Sequence, residues 1–175
     1  MTRSLWVLMA VLAIGVAGYA LVLMLLPGFG PPFVADRRVT VPLALFAHLS
    51  GGLTALAVGP WQLNARLRAR ALGRHRWTGR VYVVAVLIGG LGALGLAVRS
   101  EEGLVTHVGF GMLAVLWLAS TFMAYRTIRA GDQVAHRVWM IRSFALTLAA
   151  VALRVYLPLS QVAGIPFADA YQVIA

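Results

Sequence analysis

The stretch Leu5–Leu26, LWVLMAVLAIGVAGYALVLMLL, contains no charged residue and no proline. A helix rising about 1.5 Å per residue through it crosses a hydrocarbon core of about 30 Å. It follows a short start carrying Arg3, so a cleaved signal peptide is the competing reading. A signal peptide has an apolar region of about 7–15 residues and a small-residue cleavage site. Here the run is longer, and Pro27-Gly28-Phe29-Gly30 follows it. It is expected to stay as a first membrane span, residues 5–26.

Four more apolar runs follow, at about 41–63, 81–98, 104–125 and 138–159. The sequence therefore predicts an all-α integral membrane protein. One transmembrane domain over residues 1–175 is expected, with about five transmembrane helices, of which helices 2–5 form a four-helix bundle core. Composition agrees. Hydrophobic residues make up 61% of the chain and charged residues 11%, with a mean hydropathy of +0.87. A soluble domain is about 25% charged, and so little charge cannot cover a water-facing surface. The tail after Leu159 is too short to span and reads as the start of a further helix.

The net charge of +10 resides in arginine alone, with no lysine. These residues sit in short segments between spans and not along one folded face, so they are topology signals and no nucleic-acid partner is expected. Arg66, Arg68, Arg70, Arg74, Arg76 and Arg80 lie between the second and third spans, and Arg126, Arg129 and Arg137 between the fourth and fifth. With Arg3 these form one side. Arg37, Arg38 and Arg99, offset by Asp36, Glu101 and Glu102, form the other. The positive-inside rule then places the N-terminus in the cytoplasm of a cell whose inner membrane holds the chain. Cysteine is absent, which excludes disulfides, thiolate metal sites, iron–sulfur clusters and thioether-linked haem.

Four histidines, His48, His75, His107 and His136, fall one to each of the last four spans. Helix starts at Thr40 and Ser100 put His48 and His107 eight and seven residues in, at similar depth near the outer side. Starts at Gly73 and Asp132 put His75 and His136 two and four residues in, near the inner side. Neutral imidazole binds haem iron, and two histidines from facing helices close both axial positions. Pairing by depth gives His48 with His107 and His75 with His136, each pair the ligand set of one b-type haem. Glycines after His48 and His107, and Gly89, Gly90, Gly92 and Gly95, offer room for a macrocycle. Arg76, Arg80, Arg137 and Arg142 are candidate partners for its propionates. The plainer alternatives are that glycine serves helix packing and that the inner histidines meet water or lipid headgroups.

Arg154 lies inside the fifth span and meets either an anionic group or lipid phosphate there. No acidic residue falls within a span, which argues against proton-coupled or cation-coupled transport. No hydrolase triad, HExxH zinc site or phosphate-binding glycine loop is present.

His48 with Gly51-Gly52, Gly59-Pro60-Trp61-Gln62, His75-Arg76 with Gly79-Arg80, and the run His136-Arg137-Val138-Trp139-Met140-Ile141-Arg142-Ser143 together resemble a family of bacterial multi-pass membrane proteins catalogued as a domain of unknown function. A looser similarity is to cytochrome b561-type proteins, in which histidines of helices two and four and of helices three and five hold two b-type haems. That resemblance implies transmembrane electron transfer, as a membrane oxidoreductase or an electron-transfer subunit, with a redox partner or larger complex and a quinone as further candidates. The alternative class is a non-redox assembly or accessory subunit that binds lipid, a quinone or a larger complex.

Overall fold

A computed structural model describes residues 2–99 and 103–174, and every element among them is helical. The helices are α1 (Arg3–Leu25), α2 (Pro32–Thr40), α3 (Pro42–Gln62), α4 (Ala65–Arg70), α5 (Leu72–Val98), α6 (Leu104–Arg129), α7 (Gln133–Thr147), α8 (Ala149–Val162) and α9 (Phe167–Ile174). Five stretches are long and apolar enough to cross a membrane: α1, α3, α5, α6, and α7 with α8 as one run over Gln133–Val162.

Local chemistry sets many of the boundaries. The Asn64 side chain accepts from the backbone N–H groups of Arg66 and Leu67 and starts α4. Asp132 accepts from Ala135 N at 2.9 Å and starts α7. Proline occupies the first turns of α2 and α3, where its missing N–H costs no hydrogen bond. Helix α5 begins at Leu72, well before the apolar run at 81, because Arg74, Arg76 and Arg80 continue the helix as exposed side chains. The fifth span divides at Leu148. There the Thr147 hydroxyl donates back to Ser143 O at 3.0 Å, a back-bond that bends helices.

The spans form a closed bundle. Helix α3 lies between α1 and α5, α6 follows α5, and α7 follows α6 and returns to α3. One core cluster draws on all four inner spans: Ala55 from α3, Tyr82, Ala85 and Val86 from α5, Trp117 and Ala124 from α6, and Met140 and Phe144 from α7. Helix α1 packs outside this core, against α3 and α8. Its start is tied to the end of α3, where the Trp6 indole donates to Pro60 O at 2.9 Å and its ring stands 5.2 Å from that of Trp61. The N-terminus, the α3–α5 connection and the α6–α7 connection therefore share one end, the arginine-rich end.

Packing between helices depends on small residues, because lipid is as apolar as leucine and gives helices no hydrophobic reason to associate. A methyl group on Gly51 would run into the backbone of Ala85 and Gly89, and one on Gly92 into the backbone of Ala44 and His48. Gly59 makes way for the Phe144 ring and Gly90 for Leu118. The neighbouring Gly52 faces open space. Gly51→Ala should therefore push α3 from α5 and destabilise by about 1–3 kcal/mol. Gly52→Ala, one residue away, should be neutral or stabilise by about 0.5–1 kcal/mol through helix propensity. Thermal unfolding of the two variants in detergent checks the contrast, and equal midpoints would remove the close-contact argument.

Candidate functional site

The inner pair of histidines starts from equivalent positions. His75 is three residues past the start of α5 and His136 three past the start of α7, and the two rings lie within electrostatic reach of each other at the arginine-rich end. The His136 Nδ1 donates to Ala124 O of α6 at 2.8 Å, since a carbonyl only accepts. In a neutral ring that bond puts the proton on Nδ1 and the lone pair on Nε2. The His75 Nδ1 is buried and has no hydrogen-bond partner. Arg68 and Arg76 add positive charge beside it.

The outer pair does not come together. Thr40 ends α2 and does not begin α3, which starts at Pro42, while Ser100 lies outside the described residues and α6 starts at Leu104. His48 is thus six residues into its helix and His107 three into its own. The backbone of His48 sits against Gly92, whereas Gly111, one turn after His107, sits against Ala97. Measured along α5, His107 is roughly two turns or more farther toward the outer end. The two also face different neighbours. The His48 Nδ1 donates to Gly89 O at 3.1 Å across the α3–α5 contact. His107 lines a groove between α5 and α6 with Leu94, Val98, Gly111 and Met112.

Most of the glycines expected to admit a macrocycle on α3 and α5 are occupied by protein, whereas Gly52 and Gly111 are not. Gly51, Gly89 and Gly92 receive backbone, Gly90 receives Leu118, and Gly95 receives Ala44. Between the helices the space is filled by Tyr82 and Phe144, whose rings are 6.4 Å apart, with Trp117 and Met140. A flat cofactor held by the inner pair therefore has to lie at the arginine-rich rim and not in the bundle centre. Arg76, Arg80, Arg137 and Arg142 are all exposed near that rim, and Arg142 stacks on Trp139 at 4.6 Å.

Sequence reasoning passed over a polar cluster in the centre of the core. The Tyr82 hydroxyl lies 2.9 Å from Ser143 Oγ and 2.8 Å from Thr147 Oγ1. The Trp117 indole donates to Thr147 Oγ1 at 2.9 Å, and Thr121 Oγ1 is 2.6 Å from Ser143 Oγ. The Thr121 hydroxyl is also placed to donate to Trp117 O and the Thr147 hydroxyl to Ser143 O, so the four hydroxyl protons are shared among five contacts. Its signal was legible in principle: Trp117 with Thr121, and Ser143 with Thr147, are polar pairs four apart inside apolar spans, hence on one helix face.

Residues 45–175 match the family model described as Predicted membrane protein (DUF2306). The chain belongs to this family. No curated protein and no solved structure matches it. All four histidines and the polar cluster lie within the DUF2306 region, whereas α1 and α2 precede it.

The cluster makes a direct prediction. Tyr82→Phe keeps the ring and removes the one hydroxyl that joins α5 to Ser143 and Thr147, and should cost about 1 kcal/mol. In a double-mutant cycle with Ser143→Ala the two changes should be less than additive, because each breaks the same bond. Thermal midpoints of the four proteins measure the coupling, and strict additivity would separate the residues energetically.

Proposed function

We propose that the chain is a membrane electron-transfer protein whose centre is the His75–His136 pair, holding one b-type haem at the arginine-rich rim. One observation carries the reading. His136 is pinned through Nδ1 to a backbone carbonyl, so its neutral ring keeps the Nε2 lone pair available, and His75, within electrostatic reach, has a buried ring nitrogen without a partner. Metal-ligating histidines are held in this way, with the second nitrogen donating to a carbonyl. Bound between two imidazoles, haem supplies reversible one-electron chemistry, and the protein supplies orientation and charge. Arg76, Arg80, Arg137 and Arg142 are the cations within the same segments for its propionates.

A second haem on His48 and His107 has less support, since their depths and neighbours differ. The filled core favours the other class of function, a non-redox accessory subunit that binds lipid or a larger complex. The two classes separate on one spectrum. Protein purified after expression with adequate haem should show a reduced-minus-oxidised b-type difference spectrum, and His75→Ala and His136→Ala should each abolish it. His48→Ala and His107→Ala should retain it. Wild-type protein without haem bands would favour the accessory subunit, and a loss of half the haem in the His48 and His107 variants would restore the two-haem form.

The orientation belongs to the same proposal. The arginine-rich end, bearing Arg3, the α3–α5 connection and the α6–α7 connection, faces the cytoplasm of a bacterial inner membrane by the positive-inside rule. The chain has no cysteine, so single cysteines placed at Arg68 and at Gly28 report side unambiguously. An impermeant thiol reagent added to spheroplasts should label the Gly28 position alone. Labelling at position 68 alone reverses the topology.

A further inference from the structure

Among the described residues Arg154 is a cation without a counter-charge. It lies in α8, eight residues before Val162, which is about 12 Å of helix from that end. Of its five donors, Nη1 binds Ala150 O of its own helix at 3.2 Å, and Nε is buried with no partner. Among the described residues no carboxylate lies within 4 Å of it, the only such pair being Arg37 with Asp36. The guanidinium is 5.9 Å from the centre of the Tyr19 ring of α1 and within electrostatic reach of Tyr171 of α9 and His48 of α3. Four elements therefore converge on one charge.

The side chain is partly buried, with its Nε fully so. Tyr171 is packed between Phe33 of α2, Phe110 of α6 and Phe167 of α9, with ring centres 6.2, 5.4 and 5.3 Å away. His48 is fixed by its bond to Gly89 O. A charged side chain at membrane depth is costly unless it is paired or reaches the interface. The ring of Tyr19 offsets part of that through its negative face. A guanidinium fork has the shape to recover the rest from a carboxylate or phosphate by two parallel hydrogen bonds.

We propose that Arg154 anchors an oxyanion site where α1, α3, α8 and α9 meet, taking a phosphate-type group from a lipid headgroup or a free ion. The site is at the end opposite the arginine-rich loops and is separate from the His75–His136 pair. It does not depend on haem. Its thermodynamic signature is a crossing: an unpaired buried charge destabilises the empty protein, and the same charge stabilises the loaded one.

The test uses the full chain in lipid-free detergent, with unfolding followed by the fluorescence of its five tryptophans. The probes are inorganic phosphate and phosphatidylglycerol in mixed micelles, with phosphatidylcholine as the neutral control. Without a probe, Arg154→Gln should unfold at or above the wild-type midpoint. With a probe, wild type should gain stability saturably, and the half-saturating concentration for Arg154→Gln should rise about tenfold or more, the value of one charge-assisted bond. Arg154→Lys keeps the charge without the fork and should fall between them. Arg3→Gln removes an exposed charge at the other end and should respond as wild type. A response to phosphate identifies a free ion as sufficient, and a response to phosphatidylglycerol alone identifies a headgroup. Equal responses in wild type and both Arg154 variants overturn the site, as does no response in wild type. An Arg154→Gln protein that unfolds without any probe also overturns it, by making the guanidinium a structural group.

Discussion

The contact of Gly51 with Gly89 governs the rest of the bundle. In lipid the helices gain nothing by hiding apolar surface from one another, so their association depends on close backbone approach and on polar bonds. Two glycines facing each other let α3 and α5 touch backbone to backbone, with Gly92 against Ala44 and His48 extending the contact toward the outer end. That approach brings the His48 ring within reach of the Gly89 carbonyl, which a larger residue at 51 or 89 would hold away. Packing and histidine placement are therefore one feature.

The second source of cohesion is the hydroxyl cluster of Tyr82, Thr121, Ser143 and Thr147 with the Trp117 indole. Each group, left alone in hydrocarbon, would carry a desolvation cost with no compensating bond. Joined, they fix the rotation of α5, α6 and α7 about their own axes, because rotating any of the three helices parts these groups. The Thr147 back-bond of the same cluster lies where the fifth span divides at Leu148. The cluster also fills the centre of the bundle with protein side chains.

Charge is divided between the ends of the bundle in two different ways. At the arginine-rich end the cations are mostly exposed on helix ends and in α4, where water and headgroups solvate them. At the other end Arg154 is enclosed, with an aromatic ring on one face and an unsatisfied nitrogen on its edge. The first arrangement orients a chain. The second has the character of a recognition site, since enclosure makes the interaction with an anion both stronger and more selective.

Apolar run length alone determined that the chain is helical and membrane-spanning, because only a helix of about 20 apolar residues satisfies its own backbone in lipid. Sequence also identified the four inner spans and the Asp132 cap, for these rest on local hydropathy and one side chain. It placed the starts of α3 and α6 at Thr40 and Ser100, whereas α3 begins at Pro42, after the separate helix α2, and α6 at Leu104. A shift of a few residues there turns an equal-depth pair into an unequal one, so the separation of His48 from His107 was decided by tertiary structure. The purpose of the glycines was decided there too: spacing cannot tell whether the gap beside Gly89 receives a cofactor or another backbone, and the fold fills it with Gly51. The orphaned nitrogen of Arg154 and the Tyr82 cluster lie beyond any single-helix reading, because each is defined by partners on other helices.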